Sequence, residues 1–410
     1  MAGAAVAGAG GLAAWRHWPE QGFWNPCRVR LPRELREHDL VLSAWDGLDP
    51  RQVWDSHAHL IGTGDSSSGI FINPRMESVL NPQHYARRLF FLNAGCADDG
   101  IGGSVDKAYV RRLLNVMHGM QDGMKMLLFA FDRFHDEEGR RDDDRTPFYV
   151  PDGYAQEVAA TYPRVFEWVA SIHPYRPDAV EALARAKQGG ARAVKWLPAA
   201  QGIDPASPKC DPFYAAAARL DVPIISHAGL ERAVVGGNQE HGNPLRLRRA
   251  MEAGVRVVVA HCASMGQDRD FDRGPDGPLV DSFELFARLM DDAKYQGRLF
   301  GDISAMTQIN RAGPALARVI ERSEWHPRLL NGSDYPLPGV MPIFSVDYLV
   351  SLQLVDAAAA PVLKEIRAHN RLLFDFVLKR HLRLGGRSGK ALPRGVFETR
   401  RFFAAGGTAG

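Results

Sequence analysis

Four histidines, a lysine and an aspartate stand out because each falls at the end of a short apolar run. The segment Trp54-Asp55-Ser56-His57-Ala58-His59 sets two imidazoles two residues apart. In an extended chain alternate side chains project to one side, so His57 and His59 can converge on a single ion. Lys195 sits in Val194-Lys195-Trp196, His227 closes Ile224-Ile225-Ser226-His227, His261 closes Val257-Val258-Val259-Ala260-His261, and Asp334 closes Gly332-Ser333-Asp334. Neutral imidazoles together with a carboxylate suit a zinc-like divalent ion. A lone His-x-His arises often by chance, and a lone histidine in an apolar run is ordinarily a hydrogen-bonded core residue. Several polar residues at run ends in one register are harder to dismiss, because burying them without a shared task costs free energy.

The elements that would position these residues recur without a fixed sequence period. A β-branched or apolar run, a polar loop and a helical pattern follow one another, which implies parallel strands with crossover helices. Eight such runs are readable, at 53–60, 125–132, 166–175, 191–198, 223–229, 256–263, 299–306 and 329–336. Helical spacing is readable at 178–188, 212–220, 243–253 and 281–295. An α/β fold, a (β/α)8 TIM barrel with an N-terminal extension and a C-terminal helical tail, fits eight strands better than an open doubly wound sheet. In a barrel the carboxyl ends of the strands meet at one face, where the candidate residues would gather. The division expected is an extension over 1–50, with one helix at 33–42, a barrel over 51–384 that finishes in a long helical region at 357–384, and a mobile Gly-rich tail over 385–410.

With 410 residues, 45% hydrophobic and 24% charged, the chain has ample material for a large core. Fifty basic against 48 acidic side chains leave a net charge of +2, which gives no support for a nucleic-acid-binding surface. Cys27, Cys96, Cys210 and Cys262 lie far apart with no CxxC pair, so neither a zinc ribbon nor a disulfide framework is indicated, and no single disulfide is expected. Residues 1–14 are almost all Ala, Gly, Val and Leu. They lack the basic region of an export signal and are too short to span a bilayer, leaving a late start codon or an Ala/Gly arm as equal readings. Membrane association is conceivable only through this segment, so the compartment stays open. Homo-oligomers are compatible with the sequence, but no interface is readable in it.

Four segments taken together resemble the amidohydrolase superfamily, in its branch of metal-dependent hydrolases related to aminocarboxymuconate-semialdehyde decarboxylase. They are Asp55-Ser56-His57-Ala58-His59, Pro223 to Gly229, Val259-Ala260-His261-Cys262, and Leu330-Asn331-Gly332-Ser333-Asp334-Tyr335-Pro336, the last being the most distinctive. The resemblance spans roughly residues 50 to 380 as one barrel. It implies that His57, His59 and His227 are metal ligands for one or two divalent ions, zinc being expected. It also implies that Asp334 contacts the metal and takes a proton from the attacking water. His261 would then polarise the substrate or complete a second metal site. Such an ion lowers the pKa of a water towards about 7, and a carboxylate in reach can accept and return the proton. For Lys195 three readings stay open: a carboxylated bridge between two metals, an ammonium for a substrate carboxylate, or a salt-bridged lysine near the rim.

Other residues carry weaker signals. Asp302 and Ser304 could hydrogen-bond the ligands. Arg133 could meet an anionic substrate or be solvated. His173 is expected to be structural. The aromatic group Trp15, Trp18, Phe23 and Trp24 is expected to cover outer helices. The charged stretch 134–145 reads as a solvated loop, and 266–278 as a lid or a disordered insertion. The leading functional expectation is a hydrolase of a small-molecule amide, lactone or ester. Its competitors are a non-oxidative decarboxylase of an aromatic or unsaturated acid and a non-catalytic, membrane-associated barrel scaffold.

Overall fold

A computed structural model describes residues 20–404 apart from 29, 98–102, 235–236 and 387. Each of the eight apolar runs contains a strand. They are β1 (Trp54–His59), β2 (Lys125–Phe129), β3 (Phe166–Val169), β4 (Val194–Trp196), β5 (Ile224–His227), β6 (Val257–Ala260), β7 (Leu299–Asp302) and β8 (Leu329–Leu330). All the ladders between neighbours are parallel. The strands form a three-stranded and a five-stranded sheet, and isolated parallel bridges stand at the two seams, Ala170 with Val194 and Ala58 with Tyr335. There Lys195 donates its backbone N–H to Ala170 O at 2.7 Å, and Asp334 donates to His57 O at 2.7 Å. The strands thus succeed one another in chain order, the arrangement of an α/β TIM-barrel fold.

Alternation sorts the strand side chains into two cores. Met126, Leu128, Val194, Ile224, Val257, Leu299 and Leu329 face the surrounding helices. Leu127, Phe129, Val169, Ala193, Ile225, Val258, Phe300 and Leu330 form a separate inner cluster with Trp54. Strand β1 needs one further device. Trp54 belongs to the inner cluster, so strict alternation would carry Ala58 inward with it, yet Ala58 packs in the outer one. The pairing of β1 with β2 slips by one residue between Asp55 and Ala58. This bulge reverses the parity and turns His57 and His59 to the inside.

The crossover helices broadly follow the expected spacing, with revised ends. They include Ala179–Gln188, Asp211–Arg219 and Ser282–Asp291, while 243–253 splits into a 3-10 turn at Pro244–Leu247 and Arg248–Glu252. Two longer expectations are corrected. The single helix at 33–42 is two short ones, Arg33–Arg36 and Asp39–Ser43, with the His38 side chain capping the second. The region 357–384 holds Ala360–His369 and Arg371–Arg380, broken where Asn370 adopts an extended backbone and its side chain accepts from Leu373 N.

The tail also departs from expectation. Residues 388–404 are packed rather than free: Val396, Phe397, Phe402 and Phe403 are buried, and Phe402 and Phe403 join the inner cluster. Thr399 donates its hydroxyl to Trp54 O, and Asn331 N donates to Val396 O. The Gly-rich composition that suggested mobility belongs to its flanks, of which 405–410 lie outside the described residues. Cys27 and Cys96 are joined by a disulfide, contrary to the expectation of none. Low cysteine density argues against a framework but does not address a single staple. This one ties the preamble to the end of helix Pro82–Ala94. Trp24 stacks on Phe90 of that helix, 5.6 Å between ring centroids, while remaining half exposed. Residues 1–14, Trp15 and Trp18 lie outside the described residues.

Candidate metal centre

The upper ends of β1, β7 and β8 meet around His57. Its Nδ1 lies 2.8 Å from Asp302 Oδ2 and its Nε2 lies 3.4 Å from Asp334 Oδ1. His59 Nε2 is 3.0 Å from the same Asp334 oxygen. His57, His59 and Asp334 each offer a donor atom within 4.8 Å of the others, and His57, His261 and Asp302 form a second, overlapping group. Hydrogen bonding separates the two. Asp302 takes the Nδ1–H of His57, which leaves Nε2 with a lone pair facing His59 and Asp334. A carboxylate fixing the tautomer of a liganding imidazole is how such sites are ordinarily braced.

Backbone irregularity places the other members. Asp334 has φ 59° and Cys262 φ 50°, between His261 at φ 56° and Ala263 at φ 49°. Left-handed backbone at non-glycine residues is strained and persists where the surroundings hold it. Here Asp302 Oδ1 accepts the His261 and Ser304 backbone N–H groups, each at 3.0 Å. His261 Nδ1 lies 3.0 Å from Ser304 O, an acceptor, so Nδ1 carries the proton and Nε2 faces Asp334 Oδ2 at 3.8 Å. Asp302 and Ser304 therefore brace His57 and His261, as the sequence suggested. On the far side, Asp55 accepts from Ser333 N and Ser333 Oγ, anchoring the turn that carries Asp334.

His227 borders the same cavity and turns its ring towards Glu231. Its Nε2 lies 3.2 Å from Glu231 Oε2, and it belongs to neither donor group. Glu231 is buried and accepts from Val234 N at 2.8 Å, so it needs a further partner, which His227 supplies. The His227 ring still packs against His261, 5.4 Å between centroids. Lys195 is 2% exposed, with Nζ 3.4 Å from His57 Nε2. Among the described residues no carboxylate lies within ion-pair distance of it, which removes the salt-bridged reading.

Burial sets the protonation of the group. Removal from water pushes His57, His227 and His261 well below the usual imidazole range, so they stand neutral, as metal ligation requires. Burial also works upward on Asp334, but His57, His59 and Lys195 outweigh it and hold the carboxyl below its ordinary range. Lys195 is drawn downward by burial against the pull of Asp302, Asp334 and Glu231. Neutral imidazoles with an ionised carboxylate and hydrogen-bonded outer partners fit a divalent cation.

These residues form the floor of a cavity of about 400 Å3. Its walls are largely apolar, including Ile70, Phe90, Phe91, Phe131 and Phe148. Arg311, Arg87, Arg88, Arg232 and Glu231 also line it. Sequence reasoning passed over all five: Glu231, Arg232 and Arg311 stand on loops, which carry no periodic signal, and Arg87 and Arg88 lie on the helix Pro82–Ala94, whose approach to the cavity depends on the whole fold. The anionic-substrate reading of Arg133 fails: its guanidinium pairs with Asp143 at 2.7 Å, lies over the Phe71 and Tyr149 rings, and does not border the cavity. The 266–278 stretch is neither lid nor disordered. Gln267–Arg269 pairs with Leu279–Asp281, Arg288 holds Asp270, and none of these residues lines the cavity. His173 is buried, with Nδ1 accepting from Tyr175 N and Nε2 donating to Gln201 O, a structural part as expected. Stretch 134–145 carries surface ion pairs such as Arg140–Asp136 and Arg145–Asp142.

An amidohydrolase family model matches residues 54–363. Among solved structures, the chain is similar to an uncharacterised TIM-barrel protein from Bordetella bronchiseptica, at 16% identity over 76% of this chain and 98% of that one, TM-score 0.47. It is similar also to a protein of Pseudomonas putida assigned provisionally as a 2-pyrone-4,6-dicarboxylic acid hydrolase, at 16% identity over 79% and 97%, TM-score 0.42. A third is a 5-carboxyvanillate decarboxylase of Novosphingobium aromaticivorans, solved with manganese, at 11% identity over 86% and 96%, TM-score 0.45. No curated protein matches.

Proposed function

The chain belongs to the amidohydrolase family, and from that premise we propose that it is a metal-dependent hydrolase of a small-molecule amide, lactone or ester, with Asp334 as general base. The observation that carries the reading is the convergence of His57, His59 and an ionised Asp334 at the floor of an apolar cavity. In this reading His57, His59, His227 and Asp334 would hold the ion, zinc being the expected metal. When bound, the ion supplies Lewis acidity, polarising a carbonyl and acidifying water.

The remaining work falls to the chain itself. Asp334 Oδ2, directed towards His261 rather than to the histidine pair, takes the proton of the attacking water and returns it to the leaving group. His261, held with Nε2 bare by Ser304 O, accepts a hydrogen bond from water or substrate at that atom. Lys195 Nζ stabilises negative charge developing above His57. The apolar walls exclude bulk water and strengthen these interactions.

A second reading, non-oxidative decarboxylation, is favoured by one observation: the cationic side chains Lys195 and Arg311 share the cavity and suit a carboxylate. Elemental analysis of purified, metal-supplemented protein tests the common premise and is expected to find one or two divalent ions per chain. Finding none would remove both readings. Assaying carbon dioxide release beside hydrolysis products on a panel of lactones, esters and aromatic acids separates them.

A further inference from the structure

Arg311 follows β7 and is only 7% exposed, yet it borders the cavity. A buried guanidinium presents five donors and is costly unless they are met. Arg311 makes one long contact, Nη1 to Ser264 Oγ at 3.4 Å, and its Nε has no partner. Among the described residues no carboxylate lies within ion-pair distance of it. Asp334, Glu231 and Asp302 all attract it from farther off, but each is already engaged. Asp334 faces His57 and His59, Glu231 faces His227 and Val234 N, and Asp302 faces His57 and His261 N.

The contrast with Arg367 is instructive. That side chain is fully buried and donates to the carbonyls of Pro338, Phe344, Val340 and Met341. A guanidinium of purely structural role can be satisfied in this fold. Arg371 also has unpartnered nitrogens, but it does not border the cavity. Among the described residues, the other cavity-lining arginines with an unpartnered buried nitrogen are Arg87 (Nη1) and Arg88 (Nε), on the wall helix Pro82–Ala94.

We propose that Arg311 is the specificity-determining residue of this cavity and receives a carboxylate of an otherwise apolar, ring-sized substrate. A planar guanidinium matches a carboxylate in two parallel hydrogen bonds, which gives orientation as well as attraction. The Phe and Ile walls accept the apolar body, and about 400 Å3 accommodates a small ring. The assignment rests on reading this cavity as the substrate site, but it does not depend on a metal.

Binding of benzoate and its neutral counterpart benzamide, measured calorimetrically on chelator-treated and on zinc-reconstituted protein, tests it. Wild type is expected to favour benzoate by about tenfold in both preparations, as one charge-assisted pair supplies. Arg311→Met is expected to bring the two ligands within about twofold, and Arg311→Lys to retain part of the preference. Equal binding by wild type, or an undiminished preference in Arg311→Met, overturns the proposal. So does loss of the folded state in both variants, since a guanidinium awaiting a ligand adds nothing to the stability of the empty protein. Protein that binds no divalent metal but shows the Arg311-dependent preference would sink both metal-dependent readings and leave this assignment standing.

Discussion

The two ends of the barrel interior are built from the same eight strands by opposite rules. At the amino ends, Trp54, Leu127, Val258, Phe300 and Leu330 form an apolar plug that Phe402 and Phe403 of the C-terminal segment complete. At the carboxyl ends, His57, Lys195, His227, Asp302 and Asp334 are just as deeply buried. Apolar burial returns stability in proportion to area, whereas each buried polar group must be met by a partner before it stops being a cost. The lower end is therefore where the fold is held together, and the upper end is where that stability is spent on chemistry.

Substitutions at the two ends should separate cleanly. Asp334→Asn is expected to lower turnover by roughly 10^3-fold, within the range for loss of a general base, while circular dichroism and the melting temperature stay close to wild type. Near-wild-type rates would remove Asp334 from proton transfer. Phe402→Ala is expected to cost about 3 kcal/mol of stability, as truncation of a buried aromatic does, with activity per folded molecule unchanged. A loss of turnover without loss of stability in that variant would break the division between the two ends. Asp302→Ala, which leaves the metal donors but frees the His57 ring, is expected to weaken metal affinity by about 10- to 100-fold, measurable by competition with a chelator.

How much of this was legible in the chain follows the same division. All eight apolar runs hold strands, because alternation and β-branching express a buried environment directly. His57, His59, Lys195, His261 and Asp334 were readable as strand-end residues, and the structure brings them together. What turned His57 and His59 inward was not readable: a one-residue bulge leaves no mark in composition. Glu231 and Arg311 were missed for a related reason, since they stand on loops whose approach to the site depends on the whole fold. Glu231 in turn accounts for the orientation of the His227 ring. Phe402 and Phe403 were lost among the glycines of a tail read as mobile.

Asp375 offers the finest probe of the seam between site and scaffold. It is 1% exposed and lies beneath the turn that carries Asp334, where Lys379 donates to both Asp375 Oδ2 and Gly332 O, at 2.7 Å each. Burial pushes its carboxyl up to about 7, against the pull of Lys379 and with the help of Asp55 and Asp334. An unfolded aspartate titrates near 4, so between about pH 4 and 7 the folded chain holds a proton that the unfolded chain has lost. The group's contribution to stability is greatest at the acid end of that window and declines as pH rises through it. From about pH 4.5 to 7.5 the pH slope of the melting temperature is expected to be less positive in wild type than in Asp375→Asn, whose amide cannot titrate, since the buried histidines add the same rising slope to both. An unchanged slope would mean that Asp375 stays ionised beside Lys379, making the pair a fixed strut under the Asp334 turn rather than a proton-dependent one.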